Sequence, residues 1–294
     1  MTIGIHVSVT NPEKNRFPWK EAIQSYLNFA DEVIVVDGAS NDGSLEKLLE
    51  WEKREKKLKV IISEWPKGDF DYSEFPKHLN IGYKALSTDW KIKVDVDYVI
   101  HEDTYERWRK NLSLCPKNRN LTSYGKLQIT NREKMYFKVN VPFCIRANDN
   151  IAYGKVLDKD KGDWAYPIYW DGKLKDNGVP VGLEIPASDA FILGVNVWNY
   201  NYFFRTKEEI MNYFWRYAKA YNKYHKDKFG ETKEQAFLKF LSIERGRIKK
   251  VQFYDIEIKD HPKVMHGILE NLQSNQYGFN NWGMWDFYNN AINI

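Results

Sequence analysis

Residues 32–63 read EVIVVDGASNDGSLEKLLEWEKREKKLKVIIS, and the succession of patterns within them decides the fold. EVIVV (32–36) is an apolar run of strand length, DGASNDGS is a turn whose glycines permit a sharp bend, LEKLLEWEKREKK is a charged helix, and LKVIIS (58–63) is a further strand. Toward the N-terminus, IGIHVSV (3–9) reads as another buried strand and NP marks a turn. Pro18 then opens a helix whose Ala22, Ile23, Tyr26, Leu27 and Ala30 fall on one face. This alternation is the crossover unit of an open, mostly parallel α/β sheet with right-handed connections.

Toward the C-terminus, the turn-rich loop EWPKGDFDYSEFP (64–76) leads to a helix in KHLNIGYKALS (77–87). The next strand lies in WKIKVDVDYVI (90–100) and carries Asp95 and Asp97 at its end. HEDTYERWRKNL (101–112) resumes as helix, with Asp103 or Thr104 placed to cap it. Residues 121–141 alternate as a partly antiparallel return, while 142–189 carry no decisive pattern. TKEE at Thr206 and TKEQ at Thr232 match the capping box, so each starts a helix, and a third runs through HPKVMHGILENL (261–272). The expected division is an α/β domain over 1–205 and a helical region over 206–294 packed on it.

A chain of 294 residues buries a sizeable core without external staples, and two cysteines, Cys115 and Cys144, are too few for a disulfide framework. The sequence opens without a basic leader and holds no apolar run near the roughly 18 residues of a membrane span, so a cytoplasmic protein is expected. A net charge of +4 permits a nucleic-acid partner without demanding one.

Asp37 follows the second strand at the carboxyl end of the sheet, where ligands of open α/β folds bind. Neither GxGxxG nor GxxxxGK[ST] occurs, so a nucleotide would be gripped by other means. On an extended chain Asp95 and Asp97 point to one side, and two adjacent carboxylates repel unless a cation lies between them. Oxygen ligands of this kind suit Mg²⁺ or Mn²⁺. DFD at Asp69 and DKD at Asp158 share the spacing, but DVD alone ends a central strand level with Asp37.

HVSVTN (6–11), EVIVVDGASNDGS (32–44) and LNIGYKALSTDWKIKVDVDYVI (79–100) together resemble glycosyltransferase family 2 on the GT-A fold, over roughly the first 110 residues. Members read as an apolar strand, then VVDDGSTDGT, then a segment ending LDADE. The resemblance implies a Rossmann-like, mostly parallel open sheet with helices on both faces and a C-terminal helical extension. It implies a metal-dependent, inverting transferase using a nucleotide-sugar donor, a UDP-sugar foremost. In this reading Asp37 contacts the nucleobase and Thr10 lies beside it. Asp95 and Asp97 form the DXD motif, with Asp97 the more direct metal ligand and Asp95 nearer the ribose. The general base is sought after an arginine-containing stretch. FCIRANDNIAYGKVLDKD (143–160) makes Asp158 the first candidate and Asp149 the second, and Asp189 is kept on spacing alone. Gly38 and Tyr98 depart from the family pattern, and Asn199 stands where a metal-binding His is expected, leaving His261 or His266 to fold back.

Two other readings stand beside this one. A nucleotidyltransferase also clusters carboxylates on an α/β sheet, but TNPEKNRFP (10–18) lacks the glycines of a triphosphate loop. A catalytically inactive GT-A-like binding protein agrees with Gly38 and the missing His. The acceptor is a saccharide, a lipid-linked glycan, a protein or, through the basic aromatic segments WRYAKAYNKYHKDK and RGRIKK, DNA.

Overall fold

The structure is a computed structural model, and it describes residues 1–65, 71–138, 143–157, 165–174, 177–186, 189–225 and 228–279. The crossover unit forms as β1 (Ile3–Val9), α1 (Trp19–Phe29), β2 (Glu32–Asp37), α2 (Ser44–Glu52), β3 (Leu58–Ile62), α3 (Phe75–Ala85) and β4 (Trp90–Val94). β1 pairs in parallel with β2 and with β4, and β2 pairs in parallel with β3, so the order across this half is β4-β1-β2-β3. β2, in the middle of this half, is apolar on both faces because both are covered. Ile3, Ile5, Val7, Val33 and Val35 join the main core with Ala22, Ile23, Tyr26 and Leu27 of α1, whereas Ile34 and Val36 pack on the other face with Leu86 after α3.

The antiparallel half follows β5 (Tyr98–Val99) and α4 (Tyr105–Leu114), and consists of β6 (Leu121–Asn131), β7 (Lys134–Lys138) and β8 (Phe143–Arg146). β8 runs antiparallel to β4 and to β6, which joins the two halves into one sheet. The stretch that sequence patterning left open is β-rich: β9 (Ile151–Val156), β10 (Tyr166–Leu174) and β11 (Pro180–Glu184) form a small separate sheet, and β12 (Ala190–Asn199) returns beside β6 and β5. The expected α/β class with helices on both faces is therefore what the chain adopts.

Two helices, α5 (Lys207–Tyr224) and α6 (Lys233–Ile248), make a hairpin whose rings interlock, Phe214 and Phe240 stacking with centroids 3.5 Å apart. Thr206 completes its capping box, accepting from Glu209 N at 3.3 Å while Glu209 Oε2 accepts from Thr206 N at 2.8 Å. Thr232 caps α6 through Gln235 N, but the Gln235 side chain bonds Glu231 N instead. After the hairpin, β13 (Phe253–Asp255) pairs with β7 at the sheet edge, and Met265 and Leu269 enter the main core with the short α7 (His266–Glu270). No described helix is long and apolar enough to cross a membrane.

Three local expectations are corrected. The fourth strand stops at Val94, so Asp95 and Asp97 lie in a turn closed by Tyr98 N on the Asp95 carbonyl at 3.0 Å. The Tyr26 hydroxyl, 2.8 and 2.5 Å from the carbonyl oxygens of Asp95 and Tyr98, holds that turn. Thr104 does stand at the N-cap of α4, but its hydroxyl donates to the His101 carbonyl at 2.7 Å instead of capping the helix, and the side-chain cap falls one turn earlier, where His101 Nδ1 accepts from Asp103 N at 3.2 Å. The third C-terminal helix shrinks to the 3-10 turns Ile258–Asp260 and Lys263–Met265 and to α7.

Candidate functional site

A cavity of about 390 Å³ opens at the carboxyl ends of β1 and β4. Its floor is Ser8 to Asn11 and Lys93 to Tyr98; Trp65, Tyr72 and Phe75 form one side, and Asn201 with Tyr213, Arg216 and Tyr217 of α5 closes another. α5 is tied down at both ends. Arg16 pairs with Glu209 at 2.6 Å near its start, and near its end Tyr224 donates to Asp71 Oδ1 at 2.6 Å beside the Lys223–Asp71 pair at 2.5 Å.

The turn carrying both aspartates dominates the electrostatics. Burial pushes Asp95 upward, but Lys93, whose Nζ is 2.5 Å from Oδ1, and Lys126 outweigh it and hold the carboxyl below its usual range. Asp97 goes the other way: burial and then the charge of Asp95 raise it to about 7, against the pull of Arg205 and Lys126. Asp97 is 6% exposed, and its Oδ1 has no hydrogen-bond partner among the described residues. Asn201 Oδ1, in the same cavity, is likewise buried and unpartnered. Tyr200 N donates to the Asp97 carbonyl at 2.9 Å and fixes the end of β12 against the turn. Unsatisfied buried oxygens of this type are costly unless something binds them, and a hard divalent cation fits them.

Arg205 stands behind this turn. Its guanidinium is 4.4 Å from the ring of Phe17 and 4.6 Å from that of Tyr213, and Nε donates to the Asn15 carbonyl at 2.7 Å. Both terminal nitrogens are buried without a partner among the described residues. Sequence reasoning missed it, although a cation just before the N-cap Thr206 meets the positive end of a helix and calls for a compensating anion. Trp65, Asn201, Lys93 and Arg216 were missed as well. Lys126, lowered to about 8 by burial, donates to the Tyr98 hydroxyl at 2.7 Å, so Tyr98 links a lysine to the acidic turn where the family pattern has a third acid.

The other expected residues distribute as follows. Thr10 lines the cavity. Asp37 is fully buried and turned into its own loop: Oδ1 accepts from Ser40 N at 2.6 Å and Oδ2 from Ser40 Oγ at 2.8 Å, while burial raises its pKa. Asp149 is exposed in the turn after β8, beside the amino end of β4, where Trp90 pairs with Arg146. Asp189 pairs with Arg119 at 3.1 Å, just before Ala190 meets Leu121 at the start of β6. Both therefore sit on the sheet edge opposite Asp95 and Asp97, and the structure does not bring them to the cavity. Asp158 lies outside the described residues.

His261 does not fold back as a ligand. Its Nδ1 is 2.8 Å from the Tyr200 hydroxyl and its Nε2 is 3.0 Å from the Arg132 carbonyl. His266 bonds the His261 carbonyl, and Asn199 is locked to Gln128. The one described metal-like cluster, His101, Glu102 and Asp103, stands off the cavity, with both His101 nitrogens engaged by Asp103 N and the Asp260 carbonyl.

Compared with known proteins, residues 19–113 match the family described as Glycosyl transferase family 2, so this third of the chain is similar to that family. No curated protein matches it. Among solved structures it is similar to S. aureus TarS 1-349 in complex with UDP, at 22% identity over 45% of this chain and 37% of that one, with a TM-score of 0.36. For TarS 1-349 in complex with UDP-GlcNAc the values are 16%, 64%, 60% and 0.41. For the mannosyltransferase PcManGT from Pyrobaculum calidifontis, in complex with GDP-Man and Mn²⁺, they are 12%, 92%, 68% and 0.41. The chain thus spans less than two thirds of either TarS complex, and similarity at these TM-scores adds nothing to what the topology establishes.

Proposed function

We propose that the chain is a metal-dependent, inverting glycosyltransferase that moves a sugar, from a UDP-sugar foremost, to an acceptor hydroxyl. The observation that carries this reading is the buried, unpartnered Oδ1 of Asp97 in a cavity that also takes in Thr10 at the end of β1. Asp97, Asp95 and Asn201 would hold Mn²⁺ or Mg²⁺, which when bound supplies neutralisation of the departing diphosphate. Lys93 and Arg216 bring further positive charge to the same cavity, where low polarisability makes such charges effective. Thr10 borders the nucleoside end. The proton of the acceptor hydroxyl goes to a carboxylate across the sugar from the leaving group, which produces inversion, and Asp158 is the candidate. Residues 1–205 would carry donor binding and catalysis, and 206–294 would supply the α5 wall. Two buried free thiols, Cys115 and Cys144, agree with a cytoplasmic setting. A saccharide, a lipid-linked glycan, a protein or DNA with a hydroxyl-bearing modified base would offer the required hydroxyl.

One observation favours a second reading, a GT-A-like binding protein without chemistry: among the described lining residues the only carboxylates are Asp95 and Asp97. Donor hydrolysis with Mn²⁺ or Mg²⁺ across UDP-, GDP- and TDP-sugars separates the two. Turnover that needs the metal and disappears in Asp97→Ala supports the transferase. Metal-independent binding without turnover supports the second reading, and no binding by any donor sinks both.

A further inference from the structure

β6 and β7 set two lysines side by side. Lys126 and Lys138 are register partners in this antiparallel pair, so their side chains leave the same face of the sheet as neighbours. Like charges directly opposite one another are destabilising, and here both side chains are half-buried. Burial lowers the pKa of both, and Lys138 adds to the lowering of Lys126. The carboxylates close by are already claimed: Asp95 by Lys93 at 2.5 Å, and Glu244 of α6 by Arg247. Asp97 feels Arg205 more than Lys126. Lys126 Nζ donates to a neutral oxygen, the Tyr98 hydroxyl, at 2.7 Å, and neither lysine makes an ion pair among the described residues. Two adjacent cations in this condition are completed by an anion from outside the chain.

We infer that Lys126 and Lys138 bind an anionic group of the acceptor, a phosphate or a carboxylate, so that the hydroxyl to be glycosylated belongs to a negatively charged molecule. The inference rests on the reading of the cavity as a nucleotide-sugar site and adds the chemical class of the second substrate. Tyr98 puts the pair within reach of that cavity, since it is a lining residue and the Lys126 ammonium lies 5.1 Å over its ring. Across the sheet the strands run β7-β6-β8-β4-β1, so the lysines stand on the side of the acidic turn away from Thr10. Lys93 and Arg216, by contrast, line the cavity itself, where the diphosphate is expected. An anion held by two ammonium groups takes charge-assisted hydrogen bonds from both, and the repulsion between them turns into attraction for the ligand.

Isothermal titration of the protein loaded with UDP and Mg²⁺ tests the assignment with three related probes: glycerol 3-phosphate, glycerate and glycerol. The wild type should bind at least one of the two anions ahead of glycerol, and the tighter of them identifies the group as phosphate or carboxylate. Lys138→Gln, and independently Lys126→Gln, should weaken that anion about 10-fold or more, while Lys138→Arg keeps most of the affinity. UDP affinity should stay within about twofold of wild type in Lys138→Gln, because the pair stands outside the donor cavity. Three results overturn the inference: anion affinity unchanged in both Gln variants, glycerol bound as well as either anion by the wild type, or a loss of UDP affinity as large as that of the anion, which would put the lysines in the donor site. If UDP does not bind at all, the donor-site reading falls, and the same titrations on the unloaded protein still decide whether the pair takes an anion.

Discussion

Asp97→Asn should make the metal-free protein more stable and at the same time abolish its response to Mn²⁺. The carboxyl is raised from 3.8 to about 7, first by burial and then by Asp95. With this sign, the folded chain keeps a proton that the unfolded chain has released between those values. Stability contributed by the neutral form is therefore present below pH 3.8 and is lost as pH rises through 7. Three units correspond to something on the order of 4 kcal/mol at pH 8, enough to move a melting point by several degrees in a chain of this size. An asparagine has the same outline without the charge, so it escapes this cost while losing the ionised oxygen a cation needs. The assay is thermal denaturation in EDTA at pH 5 and pH 8, repeated with Mn²⁺. The variant should exceed the wild type at pH 8, the gap should shrink at pH 5, and Mn²⁺ should raise the wild type alone. A variant no more stable than wild type at pH 8, or an equal Mn²⁺ response in both, refutes the reasoning.

Asp149→Asn and Asp189→Asn should each leave initial rates of donor turnover within about twofold of wild type, because both carboxylates sit on the far edge of the sheet; a tenfold fall in either would place it in the chemistry after all. His261, lowered from 6.5 to about 4 by burial, makes folding sensitive to acid. Its depressed pKa means stability is intact above pH 6.5 and is lost as pH falls through 4, by an amount on the order of 3 kcal/mol. Melting curves from pH 7 to pH 4 should show that slope, and His261→Gln should make it shallower, the buried His6 supplying a further part.

The parallel half of the fold was legible because its strands and helices obey period rules that need no tertiary information: VIVV can be little but a strand covered on both sides, and the α1 stripe fell on the buried residues. The threonine caps of α5 and α6 were legible for the same reason, although only Thr206 completes its box. Residues 142–189 were opaque because β9 is buried along its whole length, β10 is exposed over most of its second half and β11 has only five residues, so none of the three shows a period-two alternation. At the site, the position of Asp95 and Asp97 at the end of β4 could be read, but their turn geometry could not, since it depends on Tyr26, 69 residues away from Asp95 in sequence. Asp37 illustrates the limit of pattern. Its place at the strand end was right, yet Ser40, three residues on, absorbs both oxygens. Trp65, Asn201 and Arg205 left almost no local trace, because what makes them notable is the company that folding gives them.

The α5–α6 hairpin leaves the chain after β12 and the chain rejoins the same sheet at β13, against β7. An excursion moored to one platform at both ends behaves as an exchangeable cassette. Its length and surface can drift, or be swapped by an engineer, with a closure cost that grows only logarithmically with length. The strands that present the acidic turn need not be redesigned when it does.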